Sequence, residues 1–504
     1  MKALRSSVSC FLLVSLLFVG LFSGCSGGVQ SDETNGPGGG IAEPTSPDTQ
    51  AGVETEDPYE KDSLPDDLDF GGLTLRIGLY DSDPQVAAVA PEEEIGDLLN
   101  DAVYQRNARV MDRLNAQIET SVHSCGWADY RQYVLNTVTA DTGDFDAWYL
   151  WQYDFANTIT KGYWQDLQDA PYLDFSKPWW AADYMKEMSV DGRSKFFLLG
   201  DISYGFFYYS DCVFFNKDLV GQYGIAADDI YQTVLEGKWT FDSLGEIAQK
   251  IYTDTDGNGK VNIGDKAAFG VGPTNAPEHF LFDADNRFSY RGEDGYPVLD
   301  PLNEKIVNTI DRIIALYRMP TSVHYTDEVG DEEAVKVWRE DFARGNTAFH
   351  FEQIYYMEYW REMEDDYGVI PFPKYDEEQK TYLSLIHDVA FMYGIPADCR
   401  NAEPVCALME ALAADSYRNV MPIYYSQVLK DKYARDTVSG QIIDIIHDHP
   451  VADFAYINGF GFNTVVRNVC NSGGDNTYVS GIQKILKVKQ KELDKMIKAV
   501  GNNG

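Results

Sequence analysis

Basic residues are scarce in this chain. Its 504 residues include 41 Lys and Arg against 80 Asp and Glu, a formal net charge of −39. A nucleic-acid binder needs a basic face to neutralise phosphates, so that class is excluded. Electrostatic docking on anionic lipid is excluded on the same ground. Cysteine is sparse as well, and the seven present form no CxxC pair, which points to neither a zinc site nor a full disulfide framework. Buried free thiols are the expectation, with Cys399 and Cys406 near enough in sequence to pair. Seven His are scattered without a readable partner. His447-Asp448-His449 precedes Pro450 and reads as a helix end. No P-loop, GxGxxG, HExxH or GxSxG occurs. A catalytic acid/base pair cannot be picked from 80 carboxylates, because the separation that defines glycosidase chemistry is spatial. What is abundant is aromatic surface: 33 Tyr, 26 Phe and 9 Trp, too much for a disordered acidic protein. The length suffices for two domains of ordinary size or one bilobed unit.

Residues 1–25 read MKALRSSVSCFLLVSLLFVGLFSGC. Lys2 and Arg5 form a charged n-region, Phe11 to Phe22 is an apolar run too short to span comfortably, and Ser23-Gly24 precede Cys25. This resembles a bacterial lipoprotein signal, which implies cleavage after residue 24 and lipidation of Cys25. The pattern prefers Leu three places before the Cys, where Phe22 stands here. An ordinary secretory signal cut nearby, or an uncleaved anchor, would use the same features. Loss of Lys2 and Arg5 with the signal moves the net charge from −39 to −41. Residues 25–66 read as a flexible acidic tether; between 26 and 60 there is no Lys or Arg and one aromatic, Tyr59. Such a coil of about 35 residues reaches on the order of 30 Å, enough to hold a domain off a membrane.

Beyond the tether, strand-like and helix-like runs alternate: strands at 73–80, 116–122 and 145–151, helical spacing from Ile95 to Leu114 and from Tyr130 to Ala140. This alternation predicts a parallel α/β layer. A strand-rich stretch follows at 195–215, a helix at about 241–253, strands at 346–351 and 367–370, and helices from about 402 onward. The last, at about 481–499, carries six Lys; its apolar positions, Ile482, Ile485, Leu486, Leu493 and Ile497, predict packing on the domain.

The sharpest local motif is residues 254–265, DTDGNGKVNIGD. It fits a twelve-residue calcium loop, with oxygen side chains at positions 1, 3 and 5, glycine at 6 and a carboxylate at 12. Asp254, Asp256, Asn258 and Asp265 supply side-chain oxygens, Lys260 its carbonyl, and Asn262 acts directly or through water. Position 12 is Asp, as in dockerin-type loops, and Lys266 to Val271 read as strand, so the expectation is half an EF-hand with a structural Ca2+.

Several passages, in order, resemble the extracellular solute-binding proteins of ABC importers, of the sugar- and oligosaccharide-binding type. Asp144-Phe-Asp146-Ala-Trp148 is similar to that family's third strand, and Trp164-Gln-Asp166-Leu167 with Pro178-Trp179-Trp180 to its following loop. Lys195 to Leu199, Val213-Phe-Phe-Asn216-Lys217-Asp218-Leu219, and Gly237-Lys-Trp239-Thr240 continue the series. Gly345-Asn-Thr-Ala348-Phe349 and Gly368-Val-Ile370-Pro371-Phe-Pro373 complete it. Asn216-Lys217 and Trp239-Thr240 read as turn and helix-start residues, Thr240 capping a helix.

The resemblance implies an α/β, periplasmic-binding-protein-like type II fold: two α/β lobes with a ligand cleft between them and an extra helical C-terminal part. Residues 67–203 and 345–400 would form lobe 1, and 204–344 with 401–504 lobe 2. Site positions that it implies are Tyr80 and Asp81 after the first strand, Trp151, Tyr153 and Asp154 after the third, Ser203 and Tyr204 at the first crossing, and Glu352, Gln353 and Tyr355 on the return to lobe 1. Trp151 and Tyr355 carry most weight. The implied function is a monomeric, membrane-tethered receptor, not an enzyme. On the extracellular face of a bacterial cell membrane it would bind an oligosaccharide and deliver it to an ABC permease. The alternative is a surface-anchored glycan-binding protein or glycan-degrading enzyme.

Overall fold

The strand Ala147–Trp151 has no polar alternation, and Ala147 to Leu150 are all fully buried. Such a strand needs cover on both faces of its sheet, so Trp148 and Tyr149, which point oppositely, both lie in core. The computed structural model describes residues 60–426, 429 and 437–501. The signal segment, Cys25 and most of the tether fall outside the described residues.

The first sheet runs in the order Ala116–His123, Leu73–Tyr80, Ala147–Trp151, Phe391–Gly394, Phe197–Leu198. The first three are parallel, and Phe391–Gly394 is antiparallel to both its neighbours. Gly78 lies beside Trp148, and a Cβ there would come within 2.3 Å of the indole ring, so only glycine lets the strands close over it. The helix Leu98–Leu114 crosses behind; Asp97 caps it by accepting from the N–H groups of Leu99 and Asn100. That cap leaves Ile95, expected in the helix, exposed ahead of it.

The second sheet runs Ser322–His324, Lys266–Val271, Thr347–Gln353, Asp211–Asn216, Tyr367–Ile370, with Tyr252–Thr253 paired to Lys266–Val271. Its first three strands are parallel, and Asp211–Asn216 is antiparallel to both neighbours. Thr240 caps the helix Phe241–Ala248 in a reciprocal box with Ser243, as its position in the sequence predicts. Asn216 likewise caps Lys217–Gln222.

Segments 199–210 and 371–390 connect the sheets and are bridged to each other at Ser210 and Ile386. This redraws the expected lobe boundaries. Thr347–Gln353 belongs to the second sheet, because its partners are Asp211–Phe215 on one side and Ala267–Phe269 on the other, and only Phe391–Gly394 returns to the first. The C-terminal helices are also divided. Asp415 and Ser416, ending Ala402–Asp415, bind Arg109 and Arg106 of the first lobe. Helix Thr437–His447 instead meets the second through Ser439 and Tyr231. At the other end, residues 60–66 are not tether: Leu64 is buried and Asp62 pairs with Arg113 and Arg418. The final helix, Tyr478–Gly501, packs through Tyr478, Ile482 and Leu493. All five described cysteines are free, Cys125 exposed and the other four buried. Among the described residues no helix is long and apolar enough to cross a membrane.

Candidate functional site

Parallel strands present their carboxyl ends on one edge of each sheet, where α/β clefts form. On the first sheet that edge carries Tyr80 and Trp151, whose rings lie 4.7 Å apart. Asp81 is exposed and accepts from the Ser124 hydroxyl. Tyr153 is exposed beyond them. Asp154 turns inward: it is buried, 3.7 Å from Arg131, and burial pushes its pKa up to about 6 despite that partner.

On the second sheet, the strand Thr347–Gln353 ends in Glu352 and Gln353, and Tyr355 follows. Glu352 is buried and paired with Arg339 at 2.7 Å; its desolvation keeps the carboxyl above the usual range even so. The Gln353 amide donates to Asp211. Glu352, Gln353 and Tyr355 line one cavity of about 240 Å³ together with Asn275, His279 and His387. A neighbouring cavity of about 480 Å³ shares Pro273 and Thr274 with it and extends along the carboxyl ends of Lys266–Val271 and Ser322–His324.

A chain of rings joins the two edges. Trp151 lies 6.0 Å from Phe391, Phe391 5.4 Å from Tyr209, and Tyr209 5.5 Å from Tyr355. Phe391 begins the returning strand of the first sheet, and Tyr209 belongs to the first crossing. The structure therefore brings Tyr80, Trp151 and Tyr355 into one aromatic run between the lobes.

Ser203 and Tyr204 do not join it. The aromatic stretch after Gly205 folds as a short helical turn, Phe207–Tyr209, which draws both residues into the interior. Ser203 is bonded to the Tyr149 hydroxyl at 2.6 Å, and the Tyr204 ring lies 5.1 Å from Tyr424. Both hold the crossing in place. Asn275, His279, Arg339 and His387 went unread in the sequence; Asn275 and His279 flank the start of helix Ala276–Asp283, and only the fold brings them to His387.

The loop 254–265 joins two antiparallel strands, Tyr252–Thr253 and Lys266–Val271, so the entering element is a strand, the helix having stopped at Ala248. Carboxylate oxygens of Asp254, Asp256 and Asp265 lie within 4.8 Å of one another. Backbone N–H groups of Gly257, Asn258 and Gly259 converge on Asp254, and Asp265 is buried at the end of the loop. The buried Oδ1 of Asn262 has no hydrogen-bond partner, which suits a cation among these oxygens.

No protein-family model matches the chain, and no curated protein matches it in sequence. Solved structures do match in shape. The sugar-binding protein MalE of Xanthomonas citri superposes with a TM-score of 0.55 at 14% identity, over 86% of this chain and 100% of that one. The chain has the fold of such binding proteins. UspC of Mycobacterium tuberculosis matches at 0.53 and 13% identity, over 84% of this chain and all of that one. The ABC substrate-binding protein Lmo0181 of Listeria monocytogenes, solved with cycloalternan, matches at 0.50 and 13%, over 85% and 99%. MalE and Lmo0181 are named as binding proteins, and their fold accounts for the two sheets joined by crossing segments.

Proposed function

We propose that this protein is a receptor that binds an oligosaccharide between its two lobes and delivers it, unaltered, to the permease of an ABC importer. The observation that carries this reading is the placing of the partly buried rings of Tyr80, Trp151 and Tyr355 at strand ends of the two sheets. The buried rings of Phe391 and Tyr209 join them, and Tyr355 lines a cavity beside Glu352 and Gln353. Flat rings offer large contact area to the C–H faces of sugars at small entropic cost, and the acid and amide orient hydroxyls. Two lobes on crossing segments close over a ligand by hinge motion. Support also comes from the structural neighbours named for sugar binding. In this reading the lipid on Cys25 and the acidic tether display the receptor outside the cell membrane. Asp254, Asp256, Asn258, Lys260, Asn262 and Asp265 hold a structural Ca2+ that fastens the 252–271 hairpin. A panel of oligosaccharides screened by thermal shift tests the proposal: a stabilising glycan is expected, and its effect is expected to shrink in Trp151→Ala.

A further inference from the structure

His279 and His387 line the 240 Å³ cavity, and carbohydrate binding gives no reason for two buried imidazoles there. Glu278 and His279 are consecutive on helix Ala276–Asp283, and His387 comes from the second crossing. All three are buried, and one donor atom from each lies within 4.8 Å of the others. We propose that Glu278, His279 and His387 bind a divalent transition-metal ion of the zinc class, with an open coordination position toward the cleft.

The hydrogen bonding around the three residues is incomplete in one direction. Both ring nitrogens of His279, 1% exposed, lack a hydrogen bond, as does Oε1 of the fully buried Glu278. Orphaned polar atoms at such depth are costly and call for an unseen partner. Oε2 of Glu278 is already held, and each imidazole has a carboxylate beside its Nδ1. Oε2 of Glu278 accepts from the Asn463 amide at 2.9 Å. Nδ1 of His279 lies 3.4 Å from Oδ2 of Asp211, and Nδ1 of His387 lies 3.1 Å from Oδ1 of Asp388. A carboxylate behind each imidazole is the arrangement that orients metal-binding histidines and leaves Nε2 for the ion. Nδ1 of His387 also accepts from the Val389 N–H at 3.2 Å, and its Nε2 meets the Asn275 side-chain amide, itself tied to Arg467. Metal binding through Nε2 requires the tautomer with its proton on Nδ1, toward Asp388, and rotation of the amide away from the ring.

Two imidazoles and one carboxylate suit zinc and its neighbours, whereas calcium prefers an all-oxygen shell. Ligand atoms around zinc stand about 3–3.5 Å apart, so modest side-chain rotation closes the site. The cavity, lined by His279 and His387, supplies the way in and the room for a fourth ligand.

The test is a cobalt and zinc titration of the metal-stripped mature chain without glycan, so that it stands or falls apart from the receptor reading. One Co2+ per chain with strong visible d–d absorption, displaced by Zn2+, is expected. His279→Gln and His387→Gln are expected to abolish the absorption, Asp254→Ala to leave it intact, and Asp211→Asn to weaken zinc binding by about 10–100-fold. Should either His variant fail to fold, the isosteric Glu278→Gln is read instead, with loss of the bands expected. Wild-type protein without these bands would overturn the proposal, and so would bands that survive in Glu278→Gln or in a folded His variant; the first result leaves the cluster as carboxyls and imidazoles sharing protons.

Discussion

Tyr355 and Tyr208 lie face to face, their ring centroids 4.7 Å apart and their planes within 8° of parallel. One follows the strand Thr347–Gln353 of the second lobe, and the other belongs to the crossing from the first. The pair ties lobe to hinge, and Tyr356, 4.3 Å away, crowds Tyr355 further. Tyr355→Ala is therefore expected to cost about 1–3 kcal/mol of folding stability in addition to weakening ligand binding. Chemical denaturation checks the first effect; an unchanged midpoint would remove the tie.

Trp151 differs in being half-buried, packed against Tyr80, Tyr130 and Phe391 at the end of its strand. Trp151→Ala is expected to lower oligosaccharide affinity at least tenfold, about 1.4 kcal/mol, while shifting the melting temperature less than Tyr355→Ala does. Titration calorimetry of both variants separates a binding surface from a structural strut.

If the loop holds the proposed Ca2+, its removal is expected to lower the melting temperature, because Asp254, Asp256 and Asp265 then repel one another in the turn of the hairpin. Asp254→Ala is expected to melt low from the outset and to ignore chelator. A wild-type melting curve unmoved by chelator, and by added Ca2+, would leave loop 254–265 as a polar turn.

Gly78→Ala drives a methyl into Trp148, 2.3 Å from its ring, in a sheet buried on both faces. A loss of about 1–3 kcal/mol is expected. Comparable stability of the variant would mean that Trp148 can move aside.

Burial pushes Asp201 up to about 7 from 3.8. A carboxyl that keeps its proton only when folded favours the folded state at low pH, and this advantage is lost as pH rises between about 4 and 7. Stability is expected to fall by roughly 1–3 kcal/mol across that window, and Asp201→Asn to flatten the slope. Denaturant midpoints at several pH values decide it.

Strands such as Leu73–Tyr80 and Tyr367–Ile370 were legible because short apolar runs bounded by turns specify them locally. The resemblance put Trp151 and Tyr355 at strand ends, and the structure has Trp151 ending Ala147–Trp151 and Tyr355 just past Thr347–Gln353. The lobe to which Thr347–Gln353 belongs was not legible: that depends on pairing with Val213 and Phe269, distant in sequence. Ser203 and Tyr204 were misplaced because the helical turn at 207–209 interrupts what reads as continuous strand. His279 and His387 looked isolated for the same reason that the cavity was invisible, since each acquires its neighbours only through the crossing at 371–390.

The most direct test of the receptor reading is to incubate purified mature protein with the glycan that stabilises it, measure binding by calorimetry, and then identify the recovered sugar by mass spectrometry. Saturable binding of one oligosaccharide per chain and recovery of that sugar intact are expected. Absence of binding across a broad glycan panel, or accumulation of shorter sugars, would contradict it.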